Sequence, residues 1–248
     1  PTPPITPRLM AMLWIALHLP RLPLEALPAL SADQAPPGVV IEHQAGAAVV
    51  HLPNAAALAL GIQSGMGLAG SRSRCGGLQV AERDAAAEAR LLDQLALAAL
   101  RYTPRVVLET DGLALEIQAS LRLFGGERRL WAQLQADVEA WGLTVGWAAA
   151  PTREAARLLA LATEWPQSRH GRRQASAGPS HTHTGHRNSP AAPSGTVTPP
   201  RTRQPEKAAA WLDALPLLLV LQAWNTTPPL QTLLQGLGLR TLGELRRM

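Results

Sequence analysis

The stretch that decides the fold is a short apolar run near the start of the chain, Leu13-Trp14-Ile15-Ala16-Leu17-His18-Leu19-Pro20-Arg21-Leu22-Pro23-Leu24-Glu25. A continuous apolar run of this length that ends at prolines is typical of a strand buried on both faces. His18 is its one polar side chain before Pro20. We therefore predict a buried strand over residues 13–19, in which His18 is more easily explained as a core residue than as a metal ligand.

The composition indicates a globular protein. With 248 residues and 46% hydrophobic residues, the chain is long enough for one to three compact units with a sizeable core. A single cysteine, Cys75, cannot form an internal disulfide, which favours a reducing compartment, and we expect a cytoplasmic protein. Cys75 lies beside two glycines without a neighbouring base, so a catalytic thiol is not expected.

Two apolar segments, residues 9–19 and 211–224, are too short to span a bilayer, and no membrane association is predicted. The first segment has one alternative interpretation. It could be the core of a signal peptide that follows Arg8, with small residues at 29–32 as a cleavage site.

The positive charge is concentrated in one segment. Residues 166–205 contain six arginines and no acid, so without them the net charge falls from +5 to −1. The nearly neutral remainder predicts few phosphate contacts and weak, backbone-directed DNA binding. The segment itself is favoured as a soluble tether over a DNA-binding arm, and its histidines are favoured as incidental over a metal site: His170, His181, His183 and His186.

Strand-like and helix-like patterns alternate along the chain. This predicts an α+β fold, with helices packed on one face of a mixed sheet. The predicted strands are residues 39–43, 47–52, 78–80, 106–109, 113–117 and 143–148, and the first two are predicted to form a hairpin at Ala45-Gly46. The predicted helices are residues 55–60, 83–101, 127–141, 152–164, 207–221 and 229–235, the first with Asn54 as its cap.

The two ends and residues 166–206 do not fit this alternation. Residues 1–11 are predicted to be a disordered, proline-rich leader, in which Met10 or Met12 is a candidate initiator. Residues 166–206 are predicted to be a disordered linker or insertion. Because the chain stops a few residues into a new helix, we expect a fragment of a longer protein.

Several segments resemble motifs of the Y-family (translesion) DNA polymerases, and they occur along this chain in the same order as in that family. Residues 13–25 are similar to the first catalytic strand, 61–69 to the fingers motif and 102–106 to the approach to the second catalytic strand. Residues 150–157 are similar to a palm helix, and 237–245 to the helix-hairpin-helix of the thumb. The resemblance implies a palm at 12–25 and 83–165, small fingers at 26–82 and a partial thumb at 207–248. It also favours one continuous active-site region over residues 106–117, rather than a hairpin with a type I′ turn at Asp111–Gly112.

The resemblance further implies that the catalytic site is vestigial. The family holds two Mg²⁺ ions with three carboxylates, because hard divalent cations require anionic oxygen ligands. Those slots fall at Ala16, Asp111 and Gly112, and His18 neighbours the first. Only Asp111 keeps a carboxylate. Because Asp111 precedes a glycine, it is more easily explained as a turn residue than as a surviving metal ligand. We expect no catalytic residue, resident metal or cofactor, except that Asp111 stays a residual metal candidate.

The slots that contact nucleotide and DNA are also altered. Family aromatics of the pocket fall at Pro20 and Arg21, and a fingers tyrosine and arginine fall at Ala55 and Leu58. The thumb's phosphate-binding glycines align near residues 225–228, which contain none. The remaining DNA-binding candidates are Arg153, Arg157, Gly238 and Arg240, although Glu154 would also allow a plain solvated helix face.

This pattern is similar to the ImuB-type proteins, which are degenerate Y-family paralogues; residues 13–25, 111–113 and 120–126 carry the similarity. It implies a non-catalytic hub in SOS-induced DNA repair synthesis and mutagenesis. The implied partners are an error-prone replicative-type polymerase, a RecA-like protein and the sliding clamp, through regions beyond Met248.

Two alternatives stay open. One is an active translesion polymerase that uses Mg²⁺ with relocated carboxylates such as Glu109 or Glu116. The other is a DNA-binding module without a palm. It predicts no sheet that joins the strands near residues 13, 106 and 143.

Overall fold

A computed structural model describes residues 12–32, 34–164, 204–223, 232, 234, 236–237 and 239–248. Its strands are β1 (Trp14–His18), β2 (Gly38–Gln44), β3 (Ala47–Pro53), β4 (Gln79–Glu82), β5 (Val106–Glu109), β6 (Gly112–Glu116) and β7 (Gly146–Ala150). Its helices are α1 (Leu22–Glu25), α2 (Pro28–Ser31), α3 (Ala55–Ala59), α4 (Leu68–Arg74), α5 (Ala85–Ala99), α6 (Glu127–Trp141), α7 (Arg153–Glu164), α8 (Pro205–Asp213), α9 (Leu217–Ala223) and α10 (Leu242–Arg246).

The apolar run at residues 13–19 forms β1, an inner strand of a four-stranded sheet with the order β5-β6-β1-β7. All neighbouring strands in this sheet are antiparallel, and Ala16 pairs with Ala114 of β6 and with Ala148 of β7. The predicted strands near residues 13, 106 and 143 therefore share one sheet. This excludes the interpretation as a DNA-binding module without a palm.

One face of this sheet is built from large side chains. Ile15 and Leu17 of β1 belong to a buried cluster with side chains of α5 and α6. In the same cluster, Trp131 of α6 stacks on Trp147 of β7, with ring centroids 4.7 Å apart. Since side chains alternate across a strand, this face contains the odd-numbered residues of β1.

The opposite face is built from small side chains. Ala16, Ala148 and Ala150 pack against Ala156 and Ala160 of α7. The predicted α+β class is thus confirmed, with two differences in detail. This sheet is antiparallel rather than mixed, and helices cover both faces rather than one, because its alanine side leaves room for α7.

A smaller unit follows β1 and has the sheet order β3-β2-β4, with β4 parallel to β2. The predicted hairpin is confirmed at Ala45 and Gly46, which have φ of 50° and 82°. Asn54 caps α3 by accepting a hydrogen bond from the Ala57 N–H, as predicted. The buried Asn54 amide also donates to the backbone carbonyls of Leu30 and Pro36.

Three local predictions need correction. Residues 106–117 are not continuous: β5 and β6 form a hairpin in which Glu109 pairs with Gly112. The turn residues are Thr110 and Asp111, and no residue there has positive φ, so the turn is not type I′ either. The strand predicted at 143–148 begins later, as β7.

The helix predicted at 207–221 is instead two helices, α8 and α9, which are separated at Pro216. Proline has no N–H for the helical ladder. Pro216 forms an isolated antiparallel bridge with Thr241, and the N–H of Leu217 donates to the Arg240 carbonyl. Thr241 begins α10 with a capping box that includes Glu244.

Several predictions lie outside the described residues. These are the leader at 1–11, the linker at 166–203, the thumb turn at 225–228, Gly238 and most of the helix at 229–235. Among the described residues, no helix is both long and apolar enough to cross a membrane.

Candidate functional site

The predicted site residues His18 and Asp111 lie where β1 ends beside the β5–β6 turn. The backbone N–H of Leu19 donates to the carbonyl of Asp111 over 2.8 Å, which fixes the turn against β1. Nδ1 of His18 lies 3.4 Å from Oδ2 of Asp111. Helix α7 adds Arg153 and Arg157 to the same place, and the end of β5 adds Glu109. The structure therefore brings together five charged or titratable side chains from three parts of the chain.

Arg157 joins two carboxylates. Its Nη2 lies 3.5 Å from Oδ1 of Asp111, and its Nε lies 3.9 Å from Oε2 of Glu109. Arg153 approaches the other oxygen of Glu109, at 3.7 Å, and also contacts Glu154 at 3.0 Å. The two acids in this cluster thus already have cationic partners.

These partners outweigh burial in setting the pKa of Asp111. Burial alone would raise this pKa, because it disfavours the charged carboxylate. The polar contact with His18 and the positive charge of Arg157 oppose burial, and together they hold the pKa of Asp111 below its ordinary value. Asp111 is therefore ionised at neutral pH and neutralised by protein groups.

The slot at Ala16 lies on the same face of β1 as His18, but α7 covers it. Ala16 is 3% exposed and lies in the alanine-rich contact between β1, β7 and α7. An aspartate side chain there would have to displace α7 or be buried among apolar groups, where an unpaired carboxylate is strongly unfavourable. The backbone and packing around Ala16 provide no metal ligand.

The slot at Gly112 is closed by the neighbouring strand. A Cβ atom added to Gly112 would lie 2.0 Å from the Leu17 carbonyl oxygen and 3.2 Å from the His18 Cα. Both contacts are with backbone, which cannot rotate away. On this backbone a carboxylate side chain cannot occupy the position.

These residues do not fit a two-Mg²⁺ centre. Of the three slots, only Asp111 has a side-chain ligand, and Arg157 and His18 already contact it. In the part of the chain that the structure describes, no group of three or more His, Cys, Asp or Glu side chains is arranged to hold a metal. Glu116 cannot supplement the cluster, because it pairs with Trp14 at the opposite end of β1 and bonds to the N–H of Gln118.

A cavity of about 310 Å³ adjoins the cluster and reaches the smaller unit. Besides His18 and Asp111, it is lined by His51, Arg83 and Glu88. Arg83 and Glu88 form a bidentate pair at 2.7 and 2.8 Å. Sequence reasoning missed this pair and missed Glu109 as the partner of both α7 arginines, because no local pattern links these positions.

The remaining predicted residues lie apart from the cluster. Ala55 and Leu58 are exposed on α3, where neither offers a charge. Arg240 is exposed next to α10, and its backbone N–H donates to Glu244.

Comparisons with known proteins agree with this fold. Residues 27–160, more than half of the chain, match the model of the impB/mucB/samB family. DinB from Sulfolobus solfataricus superposes with a TM-score of 0.60 at 15% identity, covering 96% of this chain and 60% of that chain. The insertion ternary complex of Dbh DNA polymerase gives a TM-score of 0.62 at 14% identity, covering 96% and 61%.

The chain thus spans about three fifths of the length of these solved structures. A search of curated protein sequences found no match. The chain therefore belongs to the impB/mucB/samB family and has the palm and fingers fold of the Y-family DNA polymerases.

Proposed function

We propose that this chain is a catalytically inactive Y-family polymerase-like scaffold of the ImuB type, which acts in damage-induced translesion synthesis. The observation that carries the proposal is the close approach at Gly112, where a Cβ would lie 2.0 Å from the Leu17 carbonyl oxygen. A carboxylate lost at an open position can be regained by one substitution. A carboxylate lost where a neighbouring backbone fills the space cannot.

The charge of the cluster supports the same proposal. Arginine stays protonated at any pH that a folded protein tolerates. With Arg157 placed 3.5 Å from Asp111 and 3.9 Å from Glu109, a divalent cation at these acids would be repelled by a fixed positive charge. Arg157 thus provides the counter-charge that a metal would otherwise supply.

For DNA, the proposal is weak contact with the phosphate backbone through Arg153, Arg157, Gly238 and Arg240. One similar structure is an insertion ternary complex of a DNA polymerase, which supports a nucleic-acid ligand for this fold. Because Arg153 and Arg157 are already paired with acids, they retain little charge for phosphate. We expect a low affinity that decreases with salt, with a shallow slope because few phosphates are neutralised.

The wider role follows from the ImuB resemblance. The proposed partners are an error-prone replicative-type polymerase, a RecA-like protein and the sliding clamp, in the cytoplasm and under SOS control. We further propose that residues 12–25 and 83–165 act as the palm, 26–82 as the fingers and 207–248 as part of the thumb. Regions that the chain does not include, relative to the longer solved structures, would carry partner contacts.

Primer extension tests inactivity directly. The purified chain is incubated with a primed template, all four deoxynucleotides and either Mg²⁺ or Mn²⁺, with the DinB of Sulfolobus solfataricus as positive control. We expect no templated addition with either metal. Extension by the wild-type chain that is absent from Asp111→Ala would overturn the proposal, because it would show that Asp111 still serves catalysis.

One observation keeps an active polymerase as a second candidate. Glu109 and Asp111 both contact Arg157, so two carboxylates do converge at this place. If they bound Mg²⁺ after a shift of α7, extension would be lost in Glu109→Gln. It would be retained in Glu116→Gln, because Glu116 lies at the other end of β6.

A further inference from the structure

Strand β5 forms one edge of the four-stranded sheet, with β6 as its neighbour. The Glu116 N–H donates to the Arg105 carbonyl at 3.0 Å, which makes this a hydrogen-bonded pair. Such pairs alternate along an antiparallel ladder. The N–H and C=O groups of Val106 and Leu108 therefore point outward, away from β6.

An apolar groove lies along this edge. It has a volume of about 410 Å³ between β5 and α5, and its walls include Leu97, Leu100 and Leu108. Leu97 is 69% exposed, and Leu100 and Leu108 are each 49% exposed. We call the outer edge of β5 together with this groove the β5 surface. Free backbone groups beside exposed leucines form a template for another strand, and proteins usually cover such edges.

Strand β5 is complementary to itself. If two copies pair antiparallel about Val107, then Val106 of one copy lies opposite Leu108 of the other. These are the residues whose backbone groups point outward, so two hydrogen-bonded pairs form. The same register places Arg105 opposite Glu109 of the second copy. Arg105 is 67% exposed beside Glu116, at 3.6 Å, and Glu109 is 18% exposed and contacts Arg153 and Arg157. Pairing would therefore add Arg105 of one copy to the ion pairs of Glu109 of the other, at both ends of the strand.

Helix α5 matches the same two-fold axis. Asp93, Leu97 and Leu100 lie along one side of it, and Arg101 follows at its end. An antiparallel crossing at Leu97 puts Asp93 opposite Arg101 of the second copy. No ion pair of Asp93 is found among the described residues. Arg101 contacts Asp137 at 3.0 Å, is 60% exposed and has further N–H donors for Asp93 of the second copy. From Asp93 to Arg101 a helix rises about 12 Å, and from Arg105 to Glu109 a strand rises about 13 Å, so the charged ends of the two elements have similar spacings.

We propose that two copies of this chain pair through the β5 surface, with antiparallel β5 strands joining their sheets into one continuous eight-stranded sheet. The leucines of the two grooves cover each other, and the charges at both ends of β5 and α5 select this register. The test of this proposal is independent of catalytic activity, since the positions that it changes, Val107 and Leu108, lie outside the carboxylate cluster.

Sedimentation equilibrium of the complete chain between about 1 and 100 µM covers the range expected for a small interface. We expect wild type to show a concentration-dependent dimer. Leu108→Lys places a lysine in each copy opposite Val106 of the other copy, where its charge would be buried among apolar groups. The substitution should weaken dimerisation at least about tenfold. The matched control is Leu123→Lys, which changes a leucine that is 83% exposed outside the β5 surface and should leave the dimer unchanged.

Disulfide cross-linking tests the register. Val107 faces itself across the axis in a non-hydrogen-bonded pair, whose Cα atoms lie about 4.5 Å apart, within disulfide range. In a Cys75→Ser background, Val107→Cys should give a covalent dimer under mild oxidation, and Leu123→Cys should not. A monomeric wild type at all concentrations, or equal dimerisation by Leu108→Lys and Leu123→Lys, would overturn the proposal. Binding of another protein by a monomeric chain would overturn it as well.

Discussion

Replacing Gly112 by alanine adds a single methyl group at a glycine that lies close against the backbone of β1. The new Cβ would lie 2.0 Å from the carbonyl oxygen of Leu17 and 3.0 Å from its carbonyl carbon. Gly112 has no positive φ, so alanine causes no conformational strain of its own. Any destabilisation of Gly112→Ala therefore measures how firmly β1 holds its position against β6.

The expected cost comes from two opposing effects. Overpacking a well-packed site costs about 1–3 kcal/mol, and the upper end applies because backbone atoms of an inner strand must move. Replacing glycine by alanine also stabilises the folded protein by about 0.4–1 kcal/mol, because it lowers the conformational entropy of the unfolded chain. We expect a net loss of about 2 kcal/mol, which at a urea m value of about 2 kcal/mol/M lowers the midpoint by about 1 M.

The assay is urea unfolding followed by tryptophan fluorescence, to which the Trp131–Trp147 stack contributes. Gly70→Ala is the matched control, since Gly70 lies in α4 and a Cβ there would meet no atom within 4 Å. It should raise the free energy of unfolding by up to about 1 kcal/mol. A Gly112→Ala midpoint at or above that of wild type would refute the reasoning. Such a result would show that β1 can move away from Gly112, and a carboxylate side chain could then be accommodated at this position.

Three further predictions concern single side chains. Because the pKa of Asp111 is lowered in the folded protein, its ionised form adds stability that is lost as the pH falls through that pKa. Asp111→Asn should thus be less stable than wild type at pH about 7, with a difference that narrows below pH about 4 in parallel urea titrations. Asn54→Ala removes the helix cap and leaves buried backbone groups unpaired, so it should cost about 2–3 kcal/mol in the same assay. Asn54→Asp keeps the acceptor but loses the amide donor to the Leu30 and Pro36 carbonyls, so it should be destabilising as well; an unchanged stability of Asn54→Ala would contradict the cap. Tyr102 is the chain's one tyrosine, and burial together with its hydrogen bond to Asp137 raises its pKa. Spectrophotometric titration should show no phenolate near pH about 10 until the protein unfolds, and ordinary titration of the folded protein would contradict that burial.

The palm sheet could be predicted from sequence because its strands differ from their surroundings. The apolar run of β1 is bounded by prolines, and α6 was predicted with its observed bounds, Glu127–Trp141. The Ala45–Gly46 turn and the Asn54 cap were also predictable, since each depends on the conformation of a few adjacent residues.

The errors arose where distant groups decide the outcome. The hairpin turn at Thr110 and Asp111 is held by the backbone of Leu19, more than ninety residues away in the chain. Pro216 ends one helix and starts another, but the bridge to Thr241 gives the break its shape. Helix α7 covers the second face of the sheet because Ala16 and Ala148 become neighbours only when their strands pair.

The sequence by itself determined the α+β class and the buried strand near residue 13, because these depend on side-chain type and on periodicity along the chain, which are local properties. That Ala16 and Gly112 stand where catalytic carboxylates would be is implied by the resemblance to the Y-family polymerases. Only the tertiary structure decided that Arg157 joins Glu109 to Asp111, that the Leu17 carbonyl closes the Gly112 slot, and that β5 is an edge strand among the described strands. Each of these results from how separate elements dock, since strand pairing and helix packing set distances between residues that no local pattern relates.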